Sequence, residues 1–178
     1  MKYYKKLIGQ KVYLSPISID DISTFMQWVN DSEIATNMAM HPQIISHETE
    51  KEIVERLAKD GNSFCIVDKE KDKVIGTCGY AKEDLRNRNA EIGIMIGEKE
   101  YWSQGYGSDA IHLLLNFGFN IRNYNCISLT VFSFNKRAIA CYKKVGFKLQ
   151  GVMRDSLICG NQKYDRIYMD ILASEYNS

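Results

Sequence analysis

The sequence has almost no excess of charge of either sign, with 23 Lys plus Arg against 22 Asp plus Glu in 178 residues. A nucleic-acid partner needs a basic footprint, and none is present. No apolar run approaches the length of a membrane span, and the opening Met-Lys-Tyr-Tyr-Lys-Lys is too poor in apolar residues for a signal peptide. The cysteines number five, at 65, 78, 126, 141 and 159, with no C-x-x-C and no Cys/His spacing of a zinc site. An odd set of thiols, three of them (Cys65, Cys78 and Cys126) in or beside apolar strand segments, suits small core hydrophobes in a reducing cytoplasm, not a disulfide or metal framework. Internal repeats, low-complexity tracts and linkers are also missing. The expectation is one cytoplasmic domain over residues 1–178, without metal, nucleic acid or membrane, and large enough to bury its own core.

What the sequence does have is concentrated between Glu91 and Ala110. Ile92, Ile94 and Ile96 alternate with Glu91, Gly93 and Met95, which predicts a strand with one aliphatic face. Next come a polar turn, Gly105-Tyr-Gly107, and a helix with Ile111, Leu114, Leu115 and Phe119 on its buried side. Backbone N–H groups at such a turn hold a phosphate, helped by the helix dipole; equally, the glycines are plain turn chemistry. Gly107 is followed by Ser108-Asp109, with no lysine, so this is not a Walker loop. The third glycine position of a dinucleotide fingerprint falls on Ala110, and the following strand ends without an acid.

Along the chain, Lys11 to Ile17 reads as a strand ended by Pro16, and Ser18 as the cap of a helix carrying Ile22, Phe25, Met26 and Val29. Asn30-Asp31-Ser32 is expected to stop it. Residues up to His47 show no period; Met38-Ala-Met40-His-Pro42 is either an adaptable substrate wall or the seal of a core edge. A second helix from Glu48 to Lys59 buries Ile53, Val54 and Leu57 and stops at Asp60-Gly-Asn62. Ser63–Asp68 and Lys73–Tyr80 form a hairpin, with Gly76 and Gly79 marking a close neighbour or a bulge, and Asp84 to Asn89 is a solvated loop. After the central helix come a strand from Ile127 to Phe132 and a helix capped by Asn135 and closed by Gly146. Two last strands, Phe147–Arg154 and Lys163–Leu172, flank a loop over Asp155–Gln162. The order predicts an α/β fold: a mixed, mostly antiparallel sheet flanked by helices.

Two segments carry a resemblance. Trp102-Ser-Gln-Gly105-Tyr-Gly107 and Asn135-Lys-Arg-Ala138-Ile-Ala-Cys-Tyr142-Lys-Lys-Val-Gly146-Phe147 resemble the signature of the GNAT superfamily of N-acetyltransferases. That signature is Arg/Gln-x-x-Gly-x-Gly/Ala and, further on, Asn-x-x-Ala/Ser-x-x-x-Tyr-x-Lys-x-Gly-Phe. The second half is matched at every position; in the first, Trp102 stands where the family has Arg or Gln. This variant is similar to the branch of the ribosomal-protein N-terminal acetyltransferases (RimJ/RimL-like) and the spermidine acetyltransferases. The resemblance implies the acyl-CoA N-acyltransferase fold, acetyl-CoA as cosubstrate and an amine acceptor; a homodimer is left open. It places the cosubstrate at Trp102, Ser103, Gln104, Gly105, Tyr106, Gly107 and Ser108, with the pyrophosphate on the turn from Ser103 to Ser108, and the pantetheine along Ile94, Met95 and Ile96, with Asn135 and Ala138 beside it. Trp102 is expected to pack and not to touch phosphate.

The same resemblance makes Tyr142 the general acid for the departing thiolate and Glu91 the base, directly or through water. The residues alone leave other readings open: Asn135 as a plain helix cap, Tyr142 as one of eleven tyrosines on an apolar helix face, Glu91 as half of a surface pair. His112 is read as packed or exposed. The acceptor is expected to be a peptide or protein α-amine or a small-molecule amine. The alternatives are a polyamine, which calls for several carboxylates that the Met38–Pro42 segment lacks, and a silent CoA-binding module, for which an intact Tyr142 has no use.

Overall fold

The computed structural model describes residues 2–38 and 43–176. They fall into two compact units, Met1–Gly79 with Ile94–Ala110, and Tyr80–Gly93 with Ile111–Ser178.

In the first unit a short strand β1 (Leu7–Ile8) pairs antiparallel with β2 (Val12–Pro16), β2 with β3 (Ser63–Asp68), and β3 with β4 (Val74–Asp84). Pro16 ends β2 as expected, since it has no N–H to continue a ladder. Ser18 accepts the Asp20 N–H and caps a 3-10 turn, Ile19–Asp21, that leads into α1 (Ile22–Val29). Phe25, Trp28 and Val29 turn inward there. Asn30 ends α1, but the residues expected only to stop it also start another helix, α2 (Ser32–Asn37), because the Asp31 carboxylate accepts from Glu33 N and Ile34 N. Ser46 caps α3 (His47–Asp60), which buries Val54 and, unexpectedly, Glu50, while Ile53 and Leu57 are half-buried. Of the Met38–Pro42 segment, everything beyond Met38 lies outside the described residues.

β5 (Asn89–Ile96) and α4 (Tyr106–Asn120) each begin in one unit and run on into the other. Gly76 is where β5 comes close: a Cβ there would lie 2.1 Å from the Met95 carbonyl oxygen. Around Tyr3, Tyr13, Phe25, Trp28, Ile34 and Val54 forms the core of this unit, with Met95 and Trp102 packed against it.

In the second unit β6 (Cys126–Phe132) runs parallel to β5 and antiparallel to β8 (Gln162–Leu172), which pairs antiparallel with β7 (Lys148–Cys159). α5 (Lys136–Val145) follows β6, and a four-residue helix α6 (Ala173–Tyr176) follows β8. The loop expected over Asp155–Gln162 is mostly strand. Asp155, at φ 49°, takes up a register shift between Met153 and Leu157, its N–H bonds the Asp165 carboxylate at 3.0 Å, and only Gly160-Asn161 remain as the turn. Strand by strand, hydrogen bonding follows the order β1-β2-β3-β4-β5-β6-β8-β7. The architecture is thus the expected mixed, mostly antiparallel sheet with helices.

Side chains on the β6/β8 ladder separate by parity. Ile127, Leu129, Val131, Met169 and Ile171 are buried on one face. α4 passes over this face at Gly118, where a Cβ would meet the Ile127 side chain at 2.6 Å. The opposite face is polar and starts with Glu91, which pairs in register with Ser128.

Candidate active site

The first unit gathers the strand end and the glycine turn. After β5, residues Lys99–Tyr101 form a 3-10 turn, and the chain then bends through Ser103 at φ 60° and Gly105 at φ 88° into α4. Gly105 sits in the left-handed region that glycine adopts without strain, and no atom lies within 4 Å of the Cβ it lacks. The Asp109 N–H donates to the Gly105 carbonyl at 3.0 Å. The exposed Ser103–Gly105 turn therefore stands at the start of α4, at the positive end of its dipole. Such a turn can hold an anionic phosphate.

Trp102 is half-buried, packs on the core of this unit and donates its indole N–H to the Ile96 carbonyl at 2.7 Å. Lys99 Nζ stands 5.9 Å from the ring centroid. Gly107 lies beside the same residue, its missing Cβ 3.8 Å from Ile96 Cγ1. Ile94, Met95, Ile96 and Trp102–Ser108 are thus assembled in one place.

Two residues that fix this turn escaped the sequence reading. The Asp109 carboxylate accepts from the backbone N–H groups of Gln10 (3.2 Å), Lys11 (2.8 Å) and Val12 (3.0 Å), tying the start of α4 to the β1–β2 corner. Lys11 Nζ donates to the Gln104 carbonyl at 2.9 Å and lies 5.0 Å from the Tyr106 ring centroid. An acid in a first helical turn is ordinary, and nothing in the sequence announces partners nearly a hundred residues away.

The second unit holds the remaining predicted residues. Asn135 caps α5: its side-chain oxygen accepts the Ala138 N–H at 3.1 Å, and its amide N–H₂ has no partner among the described residues. Tyr142 is buried to 8% exposure on α5, edge-on to Phe147 at 6.1 Å, and its hydroxyl has no hydrogen-bond partner among the described residues. Burial, with a smaller contribution from Cys141, pushes its pKa well above the usual tyrosine range, so the phenol keeps its proton. Glu91 is half-buried and pairs with Lys82 Nζ at 3.2 Å. The β5/β6 ladder comprises three pairs and ends at Glu91↔Ser128, so Glu91 stands where parallel pairing stops. Gly93 is exposed just beyond. His112 is exposed.

All five cysteines are free thiols; burial pushes Cys65 up to about 12 and Cys78 higher still, which leaves both protonated and inert. Among the described residues no three His, Cys, Asp or Glu side chains are grouped to hold a metal ion, and no helix is long and apolar enough to cross a membrane.

Comparison with known proteins bears on the same residues. A model of the acetyltransferase (GNAT) domain matches residues 11–148. An uncharacterized N-acetyltransferase p20 of Bacillus licheniformis is 29% identical over 174 residues, covering 96% of this chain and 97% of its own. A spermidine N(1)-acetyltransferase of Escherichia coli K12 is 31% identical over 90 residues, which is 51% of this chain and 48% of that one. Among solved structures, spermidine N-acetyltransferase from Vibrio cholerae in complex with CoA and spermine superposes with a TM-score of 0.84 at 23% identity, covering 94% of this chain and 99% of that one.

Proposed function

From the chain's membership of the acetyltransferase (GNAT) family, which makes it an acetyl-CoA-dependent N-acetyltransferase, we propose that it transfers the acetyl group directly to a primary amine within a ternary complex. The acceptor in this reading is a peptide or protein N-terminal α-amine or a small-molecule amine, as in the RimJ/RimL-like branch, and residues 1–178 act as one cytoplasmic N-acetyltransferase domain. The observation that carries it is the glycine turn at the start of α4, strapped by Asp109 and Trp102.

In this proposal the N–H groups from Ser103 to Ser108 receive the pyrophosphate of acetyl-CoA. The edge at Ile94–Ile96 pairs with the pantetheine amides as an added strand would, with Trp102 holding the Ile96 carbonyl in place. Asn135 keeps its cap and gives its amide N–H₂ to a pantetheine carbonyl. A neutral amine attacks the thioester carbonyl; the carbon–sulfur bond breaks, and the thiolate takes the proton of Tyr142. Glu91 takes the proton the amine loses, directly or through water. An α-amine, with a pKa near ~8, needs less help than an alkyl amine near ~10.4.

A polyamine acceptor is the second reading, favoured by the spermidine acetyltransferases among the relatives. One assay separates them: CoA release with α-amine peptides, free amino acids, polyamines and aminoglycosides. Turnover of α-amines above polyamines is expected. Turnover confined to polyamines selects the second reading, and a folded protein inert with the whole panel refutes acetyl transfer.

A further inference from the structure

The polar face of the β6/β8 ladder carries a charge pattern of which the proposed chemistry uses only Glu91. Directly paired residues share a face, so three rows can be read from the register. Glu91, Ser128, Asp170 and Lys148 form the first, Thr130, Tyr168 and Gly151 the second, and Phe132, Arg166 and Met153 the third. The acids stand at one end of this face and the guanidinium at the other, four residues along β8, or roughly 13 Å at ~3.3 Å per residue.

Arg166 is the unusual member. Its Nε is buried without a hydrogen-bond partner, and among the described residues its side chain forms no ion pair. The group lies 5.1 Å from the centroid of the Phe132 ring. Phe132 stacks on Phe134 at 5.8 Å, and Tyr164 meets Phe134 edge-on at 4.8 Å, so the ring against the cation belongs to an aromatic cluster. The nearest acid in sequence, Asp165, has the opposite strand parity and accepts from Asp155 N. A buried donor without a partner costs free energy that natural structures seldom leave uncompensated. The complement of a planar guanidinium fork is a carboxylate, which it holds through two parallel N–H···O bonds.

We propose that Arg166 binds a carboxylate of the acceptor, and that the acceptor is an acidic peptide. Its α-amine lies at the Glu91 and Asp170 end of the face, and a side-chain carboxylate a few residues on reaches the guanidinium. The inference rests on the acetyl-transfer reading for the identity of the amine. Phe132 links this end of the face to the proposed site, since its carbonyl accepts the N–H of Asn135 at 2.9 Å. A polycation is disfavoured here, because an uncompensated guanidinium repels it.

The test uses C-terminally amidated Ser-Ala-Ala-Glu and Ser-Ala-Ala-Gln, which differ in one carboxylate. The native protein is expected to prefer the Glu peptide in kcat/KM by about tenfold or more, the usual scale of a charge-assisted contact. Arg166→Met is expected to reduce that preference to within about twofold, mostly through KM, and Arg166→Lys to restore part of it. The affinity for acetyl-CoA, measured by calorimetry, stays unchanged in both. Equal use of the two peptides by the native protein overturns the proposal, as does an equal loss on both in a folded Lys variant. A loss of acetyl-CoA affinity overturns it too, since the anion would then be a phosphate of the cosubstrate. N-acetylated copies of the two peptides, which cannot react, separate this from the acetyl-transfer reading. Preferential binding of the Glu copy with no turnover of any amine sinks acetyl transfer and keeps the Arg166 site; turnover without carboxylate preference does the reverse.

Discussion

The indole N–H of Trp102 donates to the Ile96 carbonyl at 2.7 Å, fastening the glycine turn to the last residue of β5. Arg or Gln at this position in the family signature is replaced here by a side chain that holds the strand edge and adds to the core of its unit. Trp102→Gln is therefore expected to cost about 1–3 kcal/mol, through lost packing and a carbonyl left without its donor. Acetyl-CoA affinity is expected to fall less than stability does. Urea unfolding beside calorimetry measures both, and a large loss of affinity at unchanged stability shows that the indole serves the phosphate.

Gly105 tests the turn itself. Nothing lies within 4 Å of the missing Cβ, so space does not forbid a side chain. Its φ of 88° does, and most severely for a β-branched residue. Gly105→Val is expected to weaken acetyl-CoA binding at least about tenfold, the equivalent of ~1.4 kcal/mol of strain and misdirected N–H groups. A folded variant with native affinity removes the turn from the cofactor site.

Tyr142→Phe takes away one oxygen and keeps the ring beside Phe147. If the phenol is the general acid, turnover falls by ~10²–10⁴ while the Michaelis constants barely move. A loss under about threefold excludes the acid role. Burial raises the pKa of this group, so it stays protonated through the neutral and mildly alkaline range. The rate should accordingly rise with pH as the acceptor amine loses its proton, with no descending limb below the ordinary tyrosine pKa. A limb that falls near pH ~8 points to a different acid.

Glu50 is buried to 4% exposure on α3, and burial raises its pKa. The folded state then binds its proton more tightly than the unfolded state does. The associated stability is complete below the unfolded value and lost as pH rises through the folded one. Glu50→Gln carries no charge to lose, so it is expected to melt higher than the native protein at pH 7, by roughly 2–4 °C for each ~1 kcal/mol in a chain of this size. At pH 4 the advantage should shrink. Equal melting curves at both pH values refute this account.

Periodicity and punctuation decided much of the structure. The alternation of Ile92, Ile94 and Ile96, the caps Ser18 and Asn135 and the turn Gly160-Asn161 are local chemistry, and each lies where the sequence places it. Local signals failed where one residue had a second use: Asp31 starts α2 directly after α1, and Asp155 is held inside a continuing strand by Asp165. The two signature segments are the basis on which side chains are proposed for a cofactor site. They did not show that Asp109 collects three N–H groups from the β1–β2 corner, or that Arg166 faces Phe132 across the β6/β8 ladder without an acid. A cap or a turn is made by neighbours along the chain, whose geometry the residue types nearly fix. An ion's partner, or the lack of one, is decided by strand register between distant segments, and only the folded chain sets that register.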